Sequence, residues 1–271
     1  MKKIGVLITI LVFMGALIIG NIHWNNKIDE TVSRSINTSV IHNNSSNNDN
    51  GAEESVPGFS LKREELEQLL ASLPEQIANM FLANYDNGKS VHMMIVGSPA
   101  IASNANGWSV QVKEHLEKVY GVDFLKMTVV QFDGTSTEFV DSEEAKSVID
   151  AKPDLVFFEA LTLEDNGRVE IEISHENIKN FIGRIREANP ESVILVQPPH
   201  PIHAATYYPL QVSALAEFTE DEGIPYFDHW PNWPDPDSDE ITHYLNDEGM
   251  PNENGHELWA DAVIRLFTGE K

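Results

Sequence analysis

Beyond residue 90 the apolar positions follow two alternating patterns. Short continuous runs at 91–96, 127–132, 155–158, 193–196 and 226–227 have no polar face and read as strands buried on both sides. Between them, residues 108–120, 142–149, 177–188 and 210–222 space their apolar side chains at helical intervals. An amphipathic stretch at 61–82 precedes the first run, and a last helix is predicted over about 253–267. Asn252 is its N-cap, and Trp259, Val263 and Phe267 share one face. Five strands alternating with helices predict an α/β fold, a flavodoxin-like three-layer α/β/α sandwich around a five-stranded parallel sheet. In such folds binding sites gather at the carboxyl ends of the strands, which directs attention to the loops that leave them.

The first 57 residues follow neither pattern. Met1-Lys2-Lys3 is followed by a charge-free run at 4–22, close to the roughly 20 residues that cross a bilayer core. No small-x-small cleavage site follows, because Gly20-Asn21-Ile22-His23-Trp24 is bulky there. Residues 1–24 are therefore expected to be an uncleaved signal anchor, a transmembrane helix preceding the folded part. Lys2 and Lys3 hold its short end in the cytoplasm and leave the rest of the chain extracellular, at the cell membrane. A cleaved segment would make the protein secreted. Residues 25–57, rich in Asn and Ser, read as a disordered tether, and 58–271 as the folded domain.

The chain carries a net charge of −25. Only five of its 43 acidic and four of its 18 basic residues precede residue 58, so the acidity belongs to the folded domain. Such a field repels nucleic acid and anionic polymers. The absence of cysteine excludes a disulfide scaffold, a thiolate metal site, a cysteine nucleophile and a lipoprotein anchor. No cofactor or metal is expected, although His200, His203 and Asp228 leave a metal reading open.

Four strand-exit segments carry candidate chemistry. After the first run comes Val96-Gly97-Ser98-Pro99-Ala100, and after the second Asp133-Gly134-Thr135-Ser136. After the third comes Leu163-Glu164-Asp165-Asn166-Gly167, and before the last helix Asp247-Glu248-Gly249-Met250-Pro251-Asn252-Glu253-Asn254-Gly255-His256. In this order and spacing the segments resemble the SGNH/GDSL hydrolases over roughly residues 90–268. In that family a Ser attacks an acyl carbon, a His takes its proton, an Asp orients the His, and backbone amides with an Asn hold the oxyanion.

Carried over residue by residue, the resemblance matches Gly97, Gly134, Asp247, Pro251, Asn252, Gly255 and His256. It places Ser98 at the family's Asp, Pro99 at its nucleophile, Leu163 at its Asn and Met250 at its His. Proline has no hydroxyl and no amide hydrogen, and methionine accepts no proton. An offset in which Ser98 attacks, with Asp247 and His256 beside it and Asn166 joining Gly97 and Gly134 at the oxyanion, would keep a hydrolase. The competing reading makes His256 a buried histidine fixing the helix, Ser98 a turn residue, and Asn166-Gly167 a turn.

Around the same edge, His200 and His203 leave the fourth run in a proline-rich loop, joined by Tyr207 and Tyr208 and by Trp230 and Trp233 after the fifth. These side chains are candidates for ligand binding, the aromatic rings by stacking on sugars, or are caps over the core. The resemblance implies an esterase acting on acyl esters of cell-wall or capsule polysaccharide. The alternative is a catalytically inactive protein of the same fold that binds carbohydrate or a cell-envelope partner.

Overall fold

The computed structural model describes residues 58–270 apart from Ser103 and Ala105, so the expected anchor and tether lie outside the described residues. Among the described residues no helix is long and apolar enough to cross a membrane.

Four parallel strands form one sheet in the order β2-β1-β3-β4: β1 (Val91–Gly97), β2 (Leu125–Gln131), β3 (Leu155–Glu159) and β4 (Val193–Gln197). The helices run α1 (Arg63–Leu69), α2 (Glu75–Asp86), α3 (Trp108–Tyr120), α4 (Ser136–Phe139), α5 (Glu143–Ala151), α6 (Thr162–Asp165), α7 (Ile171–Ala188), α8 (Tyr208–Asp221) and α9 (Glu253–Thr268). The expected fifth strand is not formed. Residues 226–227 contribute a single parallel bridge, Val196 with Tyr226. Phe227 N donates to Val196 O and Val196 N to Pro225 O, and there the ladder ends. Proline 225 has no amide hydrogen to extend pairing backwards, and the chain turns at Asp228 to place His229 in the core, so the apolar run is too short to propagate.

Alternation along the strands divides the core between two faces. Met93, Ile95, Leu155, Phe157 and Leu195 pack against α1, α2, α3 and α9, whose contribution includes Phe81, Trp108, Trp259 and Phe267. Met94, Val96, Val156, Phe158 and Val196 pack against α4, α5, α7 and α8. Glu159 and Gln197, paired across β3 and β4, continue the first of these series and therefore point toward the tryptophan-rich layer. Helices cover both faces of β1, β3 and β4, whose runs lack a polar stripe, whereas on the edge strand β2 Lys126, Thr128 and Gln131 are exposed, so the expected two-sided burial is not met there.

Candidate functional site

At the carboxyl end of β1, Ser98 is fixed from two sides. Its amide donates to Glu159 Oε2 at 3.2 Å and its hydroxyl to Glu159 Oε1 at 2.8 Å. The same hydroxyl oxygen accepts from Ala100 N at 3.1 Å, capping the short 3₁₀ turn Pro99–Ile101. Ser98 is only 2% exposed and Glu159 is fully buried. The carboxyl reaches this position because residue 97 has no side chain: a Cβ there would lie 2.5 Å from Glu159 Oε2 and 2.7 Å from Ile101 Cγ2. Burial pushes the Glu159 carboxyl up to about 8, against the weaker opposing effect of the two Ser98 hydrogen bonds. At neutral pH the group is mostly protonated.

Next to this pair lies a stack of aromatic rings. The Trp108 and Trp259 indoles stack with centroids 4.7 Å apart, and the His229 imidazole stacks on Trp259 at 4.4 Å. Trp259 Nε1 donates to Gln197 Oε1 at 3.2 Å. His229 Nδ1 accepts from Trp233 Nε1 at 2.9 Å, so its proton is on Nε2, which donates to Pro198 O at 3.0 Å. His200 is also fully buried and donates through Nε2 to Gly249 O at 2.9 Å, while its own carbonyl accepts from Tyr208 Oη at 3.0 Å. Burial pushes His200 down to about 4 and His229 down to about 3, so both are neutral at physiological pH.

The closing segment forms a turn and a helix start. Asn252 Oδ1 accepts from Gly255 N at 3.1 Å, and its Nδ2 donates to His243 O at 3.0 Å and Leu245 O at 3.1 Å. A Cβ on Gly255 would lie 2.3 Å from Tyr244 O. Pro251 bridges to Leu245. Met250 comes out of this turn into a groove of about 730 Å³, shared with Leu163, Glu164, His203, Leu245 and Asp247. Thus Leu163 and Met250, the positions matched to the family's Asn and His, line one groove.

The residues proposed for an offset triad are not joined. Ser98 is bonded to Glu159, Asp247 is exposed in the groove wall, and His256 is partly buried on α9, its Nδ1 without a partner among the described residues. No hydrogen bond or ion pair links the three among the described residues. Burial holds His256 below the usual imidazole range.

Gly134 sits in the turn after β2 at φ +157°, just before Thr135, which caps α4 reciprocally with Glu138. Asn166 ends α6 and lines a second groove, of about 470 Å³, together with Tyr207. His203 is near the exposed Asp239, at 3.5 Å. Trp233 is buried, and the partly buried Trp230 donates through Nε1 to Pro199 O at 2.8 Å and packs on Tyr208. These tryptophans cap the sheet edge, whereas Tyr207 is 74% exposed.

Two residues of consequence escaped the sequence reading. Glu159 looked like the end of a strand, although an acid closing a wholly apolar run is itself a signal of a buried polar contact. Asp165 is buried and accepts from Ser136 N at 2.8 Å, tying the loop after β3 to the loop after β2. Chemically, the arrangement offers a serine hydroxyl held by a protonated carboxyl, with no imidazole on it. The groove lined by Leu163 and Met250 has, at those two positions, side chains with neither a hydrogen-bond donor nor a base.

No protein-family model matches the sequence, and none of the curated proteins does. The structure, however, is similar to several solved ones. A carbohydrate esterase of family 3 from Talaromyces cellulolyticus superposes with a TM-score of 0.54 at 16% identity, over 67% of this chain and 100% of its own. An acetyl esterase variant with acetate ion gives 0.54 at 16% identity, over 66% and 99%. A G-D-S-L family protein from Desulfitobacterium hafniense gives 0.53 at 15% identity, over 65% and 99%. The described domain has the fold of the SGNH/GDSL hydrolases.

Proposed function

We propose that this domain is a non-hydrolytic protein of the SGNH/GDSL fold that binds a cell-envelope glycan, displayed outside the cell on an N-terminal membrane anchor. The observation that carries this reading is the Ser98 hydroxyl, buried and bonded to the Glu159 carboxyl at 2.8 Å rather than to an imidazole. The groove supports it: Leu163 and Met250 make an apolar floor suited to an acyl group or a sugar face, with hydrogen-bonding groups around it. The carbohydrate esterase among the similar structures supports a glycan as the ligand class. The uncharged run at 4–22 and the Asn/Ser-rich stretch after it support display at the membrane.

One observation favours a second reading, an ester hydrolase acting on acylated wall or capsule polysaccharide. The Ser98–Glu159 pair is short enough for proton transfer, and an ionised Glu159 could act as base. The two readings separate in one assay of the full-length protein, following nitrophenol release from nitrophenyl acetate between pH 6 and 9. The non-hydrolytic reading expects the buffer rate in both the parent and Ser98→Ala. A rate in the parent that rises with pH and disappears in Ser98→Ala would establish the hydrolase instead.

A further inference from the structure

The groove lined by Asn166 and Tyr207 is separate from the one lined by Leu163 and Met250, yet both are built from the same two loops. The segment after β3 supplies Leu163 and Glu164 to one and Asn166 and Arg168 to the other. The segment after β4 supplies Ile202 and His203 to one and Tyr207 to the other. Both grooves thus draw on loops at the carboxyl edge of the sheet, where ligands of this fold class bind.

Large apolar side chains are rarely left in water without a reason when they cluster. Tyr207 is 74% exposed and Leu210, one turn along α8, is 63% exposed, and both line this second groove. The adjacent Tyr208 is fully buried and hydrogen-bonded, so the exposure of Tyr207 is not a general property of the segment. Polar groups surround the Tyr207 ring. Gln211 is in the same lining; its Oε1 is shut off from water, which leaves its Nε2 as the group able to meet a ligand. Arg168 reaches Glu138 only at 3.5 Å, leaving most of its five donors uncommitted. An aromatic face beside amide and guanidinium groups suits a pyranose, which has an apolar C–H face and an equatorial rim of hydroxyls. The single cation Arg168 is balanced by Glu170 in the same lining, and the chain carries a net charge of −25, so the complementary sugar is uncharged.

From this geometry, and resting on the glycan-binding reading above, we infer that the second groove is a subsite for one neutral pyranose unit of a linear glycan. Its ring lies on Tyr207 and Leu210, and its hydroxyls meet Asn166, Arg168 and Gln211. The glycan continues from there toward the groove lined by Met250.

The test is calorimetric titration of the full-length protein in detergent with the N-acetylglucosamine hexamer and with cellohexaose. Binding of at least one hexamer is expected, weakened about tenfold or more by Tyr207→Ala and largely retained by Tyr207→Phe. Gln211→Ala is expected to weaken it severalfold. Because Tyr207 is exposed, Tyr207→Ala keeps the parent's thermal midpoint, which separates lost contact from lost fold. Equal affinity in the parent and Tyr207→Ala would overturn the subsite and leave glycan binding standing. No binding of either hexamer by the parent would overturn both.

Discussion

The His229 imidazole lies face to face with the Trp259 indole, their planes 13° apart, while its two nitrogens are committed to Trp233 and to Pro198 O. A proton added to Nδ1 would displace the Trp233 donor and put a charge into a stack of rings. Burial away from water, the largest cause, pushes His229 down to about 3 and His200 nearby down to about 4. In the unfolded chain both titrate near the ordinary histidine value of about 6.5. Between that value and the folded ones the unfolded chain binds more protons, so these residues reduce stability as pH falls. At pH 5 each is expected to cost about 2 kcal/mol relative to pH 7, read from urea unfolding followed by tryptophan fluorescence. Replacing His229 with Gln should flatten that acid limb, and an unchanged limb would refute the account.

Glu159 works in the opposite direction. Its carboxyl is pushed up to about 8, so between about 4.5 and 8 the folded protein holds a proton that the unfolded chain has released. The stability it confers is complete at the acid end of that window and is lost as pH rises through it. Glu159→Gln keeps the shape without the ionisation, and is expected to gain on the order of 3 kcal/mol over the parent at pH 7 and little at pH 4. Unfolding curves at pH 4, 7 and 9 check this. A difference that does not vary with pH would mean the carboxyl is not buried as described.

Gly97 and Glu159 share space that neither can give up. Gly97→Ala places a methyl group 2.5 Å from the carboxyl oxygen and 2.7 Å from Ile101, and overpacking of this kind costs about 1–3 kcal/mol. The thermal midpoint should fall by roughly 3–10 °C for a domain of this size. In the double variant with Glu159→Ala, the midpoint should recover part of the loss expected from adding the two single effects.

Placing a histidine at position 250 is not expected to create a hydrolase. Met250→His puts an imidazole in the groove, but the Ser98 hydroxyl stays buried against Glu159 and Ala100 N. Nitrophenyl acetate should still be cleaved at the buffer rate. A gain in rate that is removed by Ser98→Ala would show that the serine can turn toward the groove.

Much of the fold was legible because burial on both sheet faces leaves an unmistakable pattern. Helix α3 begins and ends where its apolar spacing does, and β3 and β4 extend only one residue beyond their apolar runs, at Glu159 and Gln197. The sheet was overcounted at 226–227, where local hydrophobicity suggested a strand but Pro225 and the inward turn to His229 allow one bridge. The site was harder to read. Ser98 could be picked out from its motif, but its partner lies 61 residues away on another strand, and only the strand register brings the two together. Trp230, Trp233 and Tyr207 look alike as aromatics in loops. What separates them is whether an indole N–H finds an acceptor inside the molecule, as both tryptophans do.

The Asn252 side chain joins three backbone groups, from residues 243, 245 and 255, at the point where the last loop becomes α9. Architecture alone therefore accounts for Pro251, Asn252 and Gly255 at this junction, whatever chemistry the domain performs. The ending thus reports how the final helix is docked onto the loop before it, and no catalytic role follows from it.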